Sequence, residues 1–300
     1  MARKKPTDRK TWAEKDQSGA ASRFGQLIGT AFATVVIAYI KDYLRDRHPG
    51  YILLEPEQGK QVIKLKMLGS TSRQMDTVIV PVDSREPIAL LESKWLKDAR
   101  HHNDKGAWIL QLREVRKKYA TLRGAVAVLA GYWTEGVGVM FKSEAGIRMV
   151  LVATDEEVYG TLQEPLSRYL EKNGLSAFPL IAEEIRVGLP RPWDLANCLE
   201  ELNATNELIS IAQSWLTIPK PQAETLQVGG DFVGAAIDEL LKPLPDNPKI
   251  ERLEIALQID TGNTIYCEFS DMEQAIEFIQ THFQDPKNIL KKIAPQKKLG

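Results

Sequence analysis

The chain has 300 residues and a mass of 33.7 kDa, enough for one large domain or two ordinary ones. Hydrophobic residues make up 43% of the sequence and charged residues 26%, an average globular composition that excludes collagen-like, coiled-coil and wholly disordered proteins. The 39 basic and 40 acidic side chains nearly cancel, so no overall basic excess marks the chain as a nucleic-acid-binding protein.

Cysteine content and hydropathy indicate where the protein works. Cys198 and Cys267 are far apart in sequence and have no metal-ligand spacing, so neither a disulfide framework nor a zinc ribbon is indicated. The longest apolar stretch, residues 24–40, is marginal for a bilayer span of about 20 residues, and its flanks are not those of an export signal. We therefore expect a cytoplasmic protein without membrane association.

The first half of the chain predicts a sheet between helices. Residues 1–17 are polar and basic and are typical of a flexible arm, and a largely buried helix is predicted from Ser18 or Ser22 to about Tyr43. Apolar and β-branched runs then predict strands at 51–54, 62–68, 77–82, 88–95, 126–131 and 148–153. Amphipathic helices are predicted from Asn103 or Asp104 to about Leu122, and from Asp155 onward.

A proline-rich passage at 178–192 predicts a domain boundary. Beyond it the pattern predicts helices at 194–216, 232–241 and 272–283, and a hairpin of 253–259 with 264–269. The predicted fold class is α/β (α+β), with a mixed central sheet flanked by helices and a C-terminal α+β region. The predicted parts are the arm 1–17, a core 18–177, and a domain 190–300 for target binding, dimerisation or partner contacts.

Three charged residues on one predicted hairpin, Asp76, Glu92 and Lys94, are the candidate catalytic residues. Glu92 and Lys94 share a face of their strand, because side chains alternate across a sheet. A turn centred near Arg85 would place Asp76 opposite Lys94 and one step from Glu92, with cross-strand Cβ atoms about 5 Å apart. Two carboxylates and the Ser93 carbonyl are hard oxygen ligands of the kind that Mg²⁺ takes, and a neighbouring lysine can orient water and stabilise phosphate charge.

Asp76 and Glu92-x-Lys94 on successive strands, with a long helix before and a basic helix after, resemble the PD-(D/E)xK nuclease superfamily, which includes many restriction endonucleases. The resemblance covers roughly residues 18–153. It implies a restriction-endonuclease-like core in which Asp76 and Glu92 hold Mg²⁺ or Mn²⁺ and Lys94 assists the attacking water. Met75 stands where the proline of the motif would be, a common replacement in the superfamily.

The first helix departs from the family pattern. In related nucleases it often adds an acidic residue, whereas this chain has Gln26, which can position a metal-bound water but contributes no charge. A second metal site is therefore left open, with Glu55 and Glu57 as unranked substitutes. An ordinary exposed ion pair on the hairpin is the simpler alternative for the cluster, although the charges directly follow the apolar run 88–91.

Charge is concentrated after this strand. Residues 94–123 hold nine Lys and Arg against three acids, whereas 155–216 hold four against eleven. The predicted nucleic-acid-binding residues are Lys97, Arg100, Gln111, Arg113, Arg116 and Lys117. Tyr119 falls on the apolar stripe and is interpreted as core, and His101 and His102 are loop residues with a general-base role as a minor alternative.

The sequence predicts a Mg²⁺-dependent endonuclease acting on DNA, most simply double-stranded, of restriction or genome-defence type. Cutting both strands needs two active sites, so a homodimer is expected. Two alternatives stay open: a nuclease of RNA or single strands, and a non-catalytic nuclease-fold subunit that serves as an interaction scaffold in a larger complex.

Overall fold

A five-stranded mixed sheet organises the first part of the chain in the computed structural model, which describes residues 12–54, 63–67, 71–98, 102–134, 146–220, 227–243, 253–258 and 264–283. The helices are α1 (Trp12–Arg47), α2 (His102–Leu110), α3 (Leu112–Lys118), α4 (Asp155–Lys172), α5 (Ala182–Val187), α6 (Pro192–Ala204), α7 (Glu207–Trp215), α8 (Gly229–Leu241) and α9 (Met272–Phe283). The strands are β1 (Tyr51–Leu53), β2 (Ile63–Lys66), β3 (Ser72–Met75), β4 (Thr77–Pro81), β5 (Ala89–Leu96), β6 (Gly124–Gly131), β7 (Ile147–Thr154), β8 (Leu253–Gln258) and β9 (Thr264–Phe269).

The main sheet has the strand order β1-β4-β5-β6-β7. The β1–β4 and β4–β5 pairs are antiparallel, and the β5–β6 and β6–β7 pairs are parallel. β6 is buried along its whole length, because its small and branched apolar residues are covered on both faces of the sheet. The predicted mixed α+β class with helices flanking a central sheet is confirmed.

The two faces of the sheet bury different cores. On one face α1 packs through Phe24, Ile28 and Phe32 together with odd-numbered residues of β5 such as Leu91 and Trp95. On the other face Leu90 of β5 joins apolar residues of α2, α3 and the two-stranded β2–β3 sheet. Because side chains alternate along β5, Glu92 and Lys94 belong to this second face.

α1 is the helix, among the residues that the structure describes, whose length and composition would suffice to cross a membrane, over Gly19–Arg47. Its apolar residues Phe24, Ile28 and Phe32 are at most 1% exposed and lie in the first core. Through these three residues α1 contributes to the core of the first unit.

The compact units divide between Lys242 and Pro243, and not in the proline-rich passage at 178–192 as the sequence predicted. The reason is that Leu195, Trp215 and Val233, from α6, α7 and α8, lie in the same core as α1. The first unit is 1–242 and the second is 243–300. α1 begins at Trp12, so the end of the predicted arm is helical, whereas residues 1–11 lie outside the described part.

Two predicted helices are divided in the structure. The helix predicted over 103–122 becomes α2 and α3, which meet at Gln111, and the helix predicted over 194–216 becomes α6 and α7. Between α6 and α7, Asn206 has a φ of 61°, a left-handed conformation that asparagine tolerates and that ends a helix. Strand β3 was missed, because Ser72–Met75 has no β-branched residue.

The second unit contains the hairpin and helix that the sequence predicted. β8 and β9 pair antiparallel from Leu253 opposite Phe269 to Gln258 opposite Thr264. α9 follows, and the ring of Phe278 lies 5.1 Å from that of Phe269.

Candidate functional site

Asp76 lies in the bend between β3 and β4, while Glu92 and Lys94 lie on β5. β4 pairs with β5 so that Thr77 is opposite Leu91, and this register aligns Asp76 with Glu92. The sequence predicted that Asp76 is opposite Lys94, which is two residues beyond the observed partner, Glu92. The cause is that the hairpin is centred on residue 84 and not near residue 85. A shift of two residues keeps every side chain on its face, so the three charges still meet.

Lys94 joins the two carboxylates. Its Nζ atom lies 2.6 Å from Oδ2 of Asp76 and 2.8 Å from Oε2 of Glu92. The side chains of Asp76 and Lys94 are 34% and 17% exposed, whereas that of Glu92 is fully buried. The group is thus closed on its protein side and open to solvent at Asp76.

A fourth charge, Arg73 of β3, completes the group, and the sequence offered no role for it. Its Nη2 atom lies 3.0 Å from Oε1 of Glu92, and both side chains are buried. Arg73 is two residues before buried Met75 and shares its face, so extending the period-two pattern back from Met75 would have placed it inside. We refer to Arg73, Asp76, Glu92 and Lys94 as the β5 cluster.

Burial dominates the electrostatics of Glu92. It raises the pKa of this carboxyl to about 7, with Asp76 acting in the same direction and with Lys94 and Arg73 opposing. Burial lowers the pKa of Lys94, but Glu92 and Asp76 together outweigh burial, so the pKa of Lys94 is raised overall. The ammonium stays charged, while Glu92 titrates near neutral pH.

The donor atoms of the β5 cluster fit a hard divalent cation in type. One oxygen from Asp76 and one from Glu92 converge on the same point, where the Lys94 ammonium lies. Over the described ranges, no group of three or more His, Cys, Asp or Glu side chains is arranged so that it could hold a metal ion. The carbonyl of Ser93, whose side chain lies on the other face of β5, stays a predicted third ligand.

Gln26 is not brought to the β5 cluster. It is exposed on α1, which packs on the opposite face of the sheet from Glu92 and Lys94. Its predicted role thus gains no support from this arrangement. Glu55 and Glu57 lie outside the described residues, so their role as substitutes stays a prediction.

The predicted nucleic-acid-binding residues divide into two groups. Lys97 is occupied within the protein, because its Nζ atom lies 2.7 Å from Asp98 and donates to the Ile185 carbonyl at 2.9 Å. Arg100 and His101 lie outside the described residues, as does the side chain of His102.

The remaining candidates surround α3. Gln111 and Lys117 are exposed, and Arg113 is half-buried. Burial lowers the pKa of Arg116, and Arg148 and Arg113 lower it further, so three arginines share one region of positive potential. α3 packs on the same face of the sheet as Glu92 and Lys94, through Leu112 and Val115.

The interpretation of Tyr119 as a core residue is confirmed. Its ring packs against the second core. Its hydroxyl accepts a hydrogen bond from the Lys66 backbone N–H at 3.1 Å, which ties the segment after α3 to β2.

Comparisons with protein-family models, with curated proteins and with solved structures found no match to this chain.

Proposed function

We propose that the protein is a metal-dependent endonuclease that hydrolyses phosphodiester bonds in DNA, with Asp76, Glu92 and Lys94 as its catalytic residues. One observation carries the proposal: two carboxylates converge on an ammonium within 2.8 Å on one face of β5, partly open to solvent. Charge buried in this way is costly, so its presence beside an opening favours a chemical role.

The fold context supports the same reading. The antiparallel β4–β5 pair, the parallel β6, the preceding α1 and the following α2 and α3 have the order expected of a restriction-endonuclease-like core. The arginines near α3 lie on the cluster's side of the sheet or at its edge and would attract the phosphate backbone without reading sequence. We propose double-stranded DNA as the substrate and a homodimer as the cutting unit.

Asp76 and Glu92 would hold Mg²⁺ or Mn²⁺, which when bound supplies charge neutralisation at the phosphate and a more acidic water. Lys94 would then exchange its carboxylate partners for the attacked phosphate, where its ammonium stabilises the charge that develops on the phosphate oxygens. Asp76 is the more exposed of the two carboxylates and is the one that incoming solvent or substrate meets first.

Cleavage assays test this function. Wild type, Asp76→Asn and Lys94→Ala are incubated with supercoiled plasmid, linear duplex, single-stranded DNA and RNA in Mg²⁺, Mn²⁺ or EDTA. We expect metal-dependent cutting of duplex by the wild type and a loss of about 100-fold or more in both variants. Arg168→Ala, an exposed partner of Glu207, is the matched control and should cut normally. Equal rates in all four proteins would overturn the site assignment.

A non-catalytic scaffold is the second candidate, and one observation favours it. With Glu92 ionised, the β5 cluster is neutral, because the charges of Arg73 and Lys94 compensate those of Asp76 and Glu92. A closed network of this kind can hold β3, β4 and β5 together without chemistry. The scaffold predicts that the protein binds DNA or a protein partner, takes up no Mn²⁺ at Asp76 and cuts nothing.

A further inference from the structure

Arg73 is a buried arginine at the inner end of the β5 cluster. Its side chain is 1% exposed. Arginine is rarely buried unless it is paired, so the partners of Arg73 are informative. Arg73 lies on β3, three residues before Asp76. The same short stretch of chain therefore supplies both the buried end and the solvent-exposed end of the cluster.

The guanidinium has partners on two different elements. Nη2 pairs with Oε1 of Glu92 at 3.0 Å, and Nη1 donates to the backbone carbonyl of Trp108 on α2. The carbon at the centre of the guanidinium also lies 5.0 Å from the ring centre of Trp108. Because the guanidinium is planar and its donors form a rigid fork, these contacts fix its orientation.

The two oxygens of Glu92 are consequently divided between two cations. Oε1 faces Arg73, and Oε2 lies 2.8 Å from the Lys94 ammonium on the side of Asp76. A carboxylate held through one oxygen cannot turn freely, so the other oxygen stays directed at the point shared with Asp76.

We infer that Arg73 is the positioning residue of the proposed nuclease site, which holds Glu92 so that one of its oxygens faces the metal and which links that oxygen to α2. This inference rests on the proposed function. It assigns Arg73 no contact with DNA or with the reacting phosphate. Groups that orient a metal ligand typically contribute about 10- to 100-fold to metal affinity or activity.

If Arg73 and Glu92 formed a purely structural ion pair, loss of Arg73 would lower stability but would leave the metal affinity of folded protein unchanged. Removing one partner of any buried pair destabilises a protein, so a loss of stability in Arg73 variants does not separate the two roles. Metal affinity measured on folded protein does separate them. The matched control is Arg186→Met, because Arg186 pairs with the buried carboxylate of Asp155 in the same unit and contacts no member of the β5 cluster.

The experiment measures Mn²⁺ binding by electron paramagnetic resonance in the absence of DNA, and kcat and KM for duplex cleavage. The proteins are the full-length wild type, Arg73→Lys, Arg73→Met and Arg186→Met, each checked for folding by circular dichroism. We expect Arg73→Met to lose about 10- to 100-fold in Mn²⁺ affinity and a similar factor in kcat at fixed metal concentration, with an unchanged KM for DNA. Arg73→Lys should recover part of both, since lysine keeps the charge but not the fork.

The outcomes separate the two proposals. Wild-type Mn²⁺ affinity in folded Arg73→Met, or in Arg73→Lys if the methionine variant does not fold, would overturn the positioning role and leave the nuclease proposal standing. An equal loss in Arg186→Met would also overturn it, because the effect would then be one of general stability. A wild type that neither binds Mn²⁺ nor cuts DNA would overturn the nuclease proposal itself, and the inference with it.

Discussion

Two groups of buried charge lie at the same sheet, and they differ in how their carboxylates are paired. Asp155, which directly follows β7, receives both Nε and Nη2 of Arg186, at 2.6 and 2.9 Å on its two oxygens. In the β5 cluster, by contrast, one ammonium is shared by Asp76 and Glu92.

The difference separates a structural ion pair from a candidate reaction site. The hydrogen bonding that Arg186 donates to Asp155 is the largest influence on the pKa of Arg186 and raises it, so the guanidinium is held in its charged form. Burial instead raises the pKa of Glu92 to about 7, which disfavours its charge in the metal-free protein. In the first arrangement each carboxylate oxygen has its own donor, whereas in the second a metal could take the place between the two carboxylates only if the Lys94 ammonium left it.

The largest expected effect is on catalysis by Lys94. Lys94→Met should reduce duplex cleavage by about 100- to 10,000-fold, because the side chain that we propose stabilises phosphate charge is lost. The same variant should bind Mn²⁺ more tightly than wild type without DNA, because the ammonium that lies between the two carboxylates has been removed. Calorimetric titration with Mn²⁺ measures this gain, and weaker binding in Lys94→Met would contradict the account.

Disrupting the Asp155–Arg186 pair should lower the stability of the protein and leave its cleavage activity unchanged. Arg186→Met leaves the buried carboxylate of Asp155 without its main partner and should cost about 3 kcal/mol in the free energy of unfolding. Urea denaturation measures the loss. Cleavage per mole of folded protein should match wild type. A loss of activity without a loss of stability would contradict the distinction between the Asp155–Arg186 pair and the β5 cluster.

The pH dependence of stability should report on Glu92. Its folded pKa of about 7 lies above the ordinary value of 4.5, so the stability it contributes is full below pH 4.5 and is lost as the pH rises through 7. Wild type in EDTA should therefore lose up to about 3 kcal/mol between these limits relative to Glu92→Gln. Urea unfolding of both proteins at pH 5, 6, 7 and 8 tests this, and parallel profiles would contradict the raised pKa.

The smallest effect is expected at α3. Arg113→Ala should weaken duplex binding uniformly across sequences and lower the salt slope of binding by about 1, because one proposed phosphate contact is lost. Fluorescence anisotropy in a series of salt concentrations measures the slope, and Arg168→Ala supplies the control, because Arg168 is an exposed residue that pairs with Glu164 and Glu207. A change confined to one DNA sequence would instead indicate base reading.

Local pattern predicted most of the sheet and the three charges at its centre. Period-two alternation along 88–95 was enough to place Glu92 and Lys94 together, and a register error of two residues did no harm because it preserved the face. The pairing of Arg73 with Glu92 was beyond the sequence, since it depends on β3, a strand without β-branched residues. The division after Lys242 was missed for a related reason, because only packing shows that α6, α7 and α8 share a core with α1.

Gln26 and Lys97 show the limits of assigning roles by position. Gln26 was assigned its role by the resemblance of the first helix and Lys97 by its charge, yet Gln26 is exposed on the helix that covers the opposite face. Lys97 is paired with Asp98 and with the Ile185 carbonyl. Side-chain partners from distant elements decide such roles, and sequence spacing does not reveal them.

The most direct test of the central claim is the anomalous difference density of a crystal soaked in Mn²⁺. We predict a peak at coordination distance from the oxygens of Asp76 and Glu92, with the Lys94 ammonium displaced from its position between them. A crystal that shows Lys94 still bridging both carboxylates and no peak at Asp76, at a concentration of Mn²⁺ that supports other nucleases, would contradict a metal-dependent site in the β5 cluster.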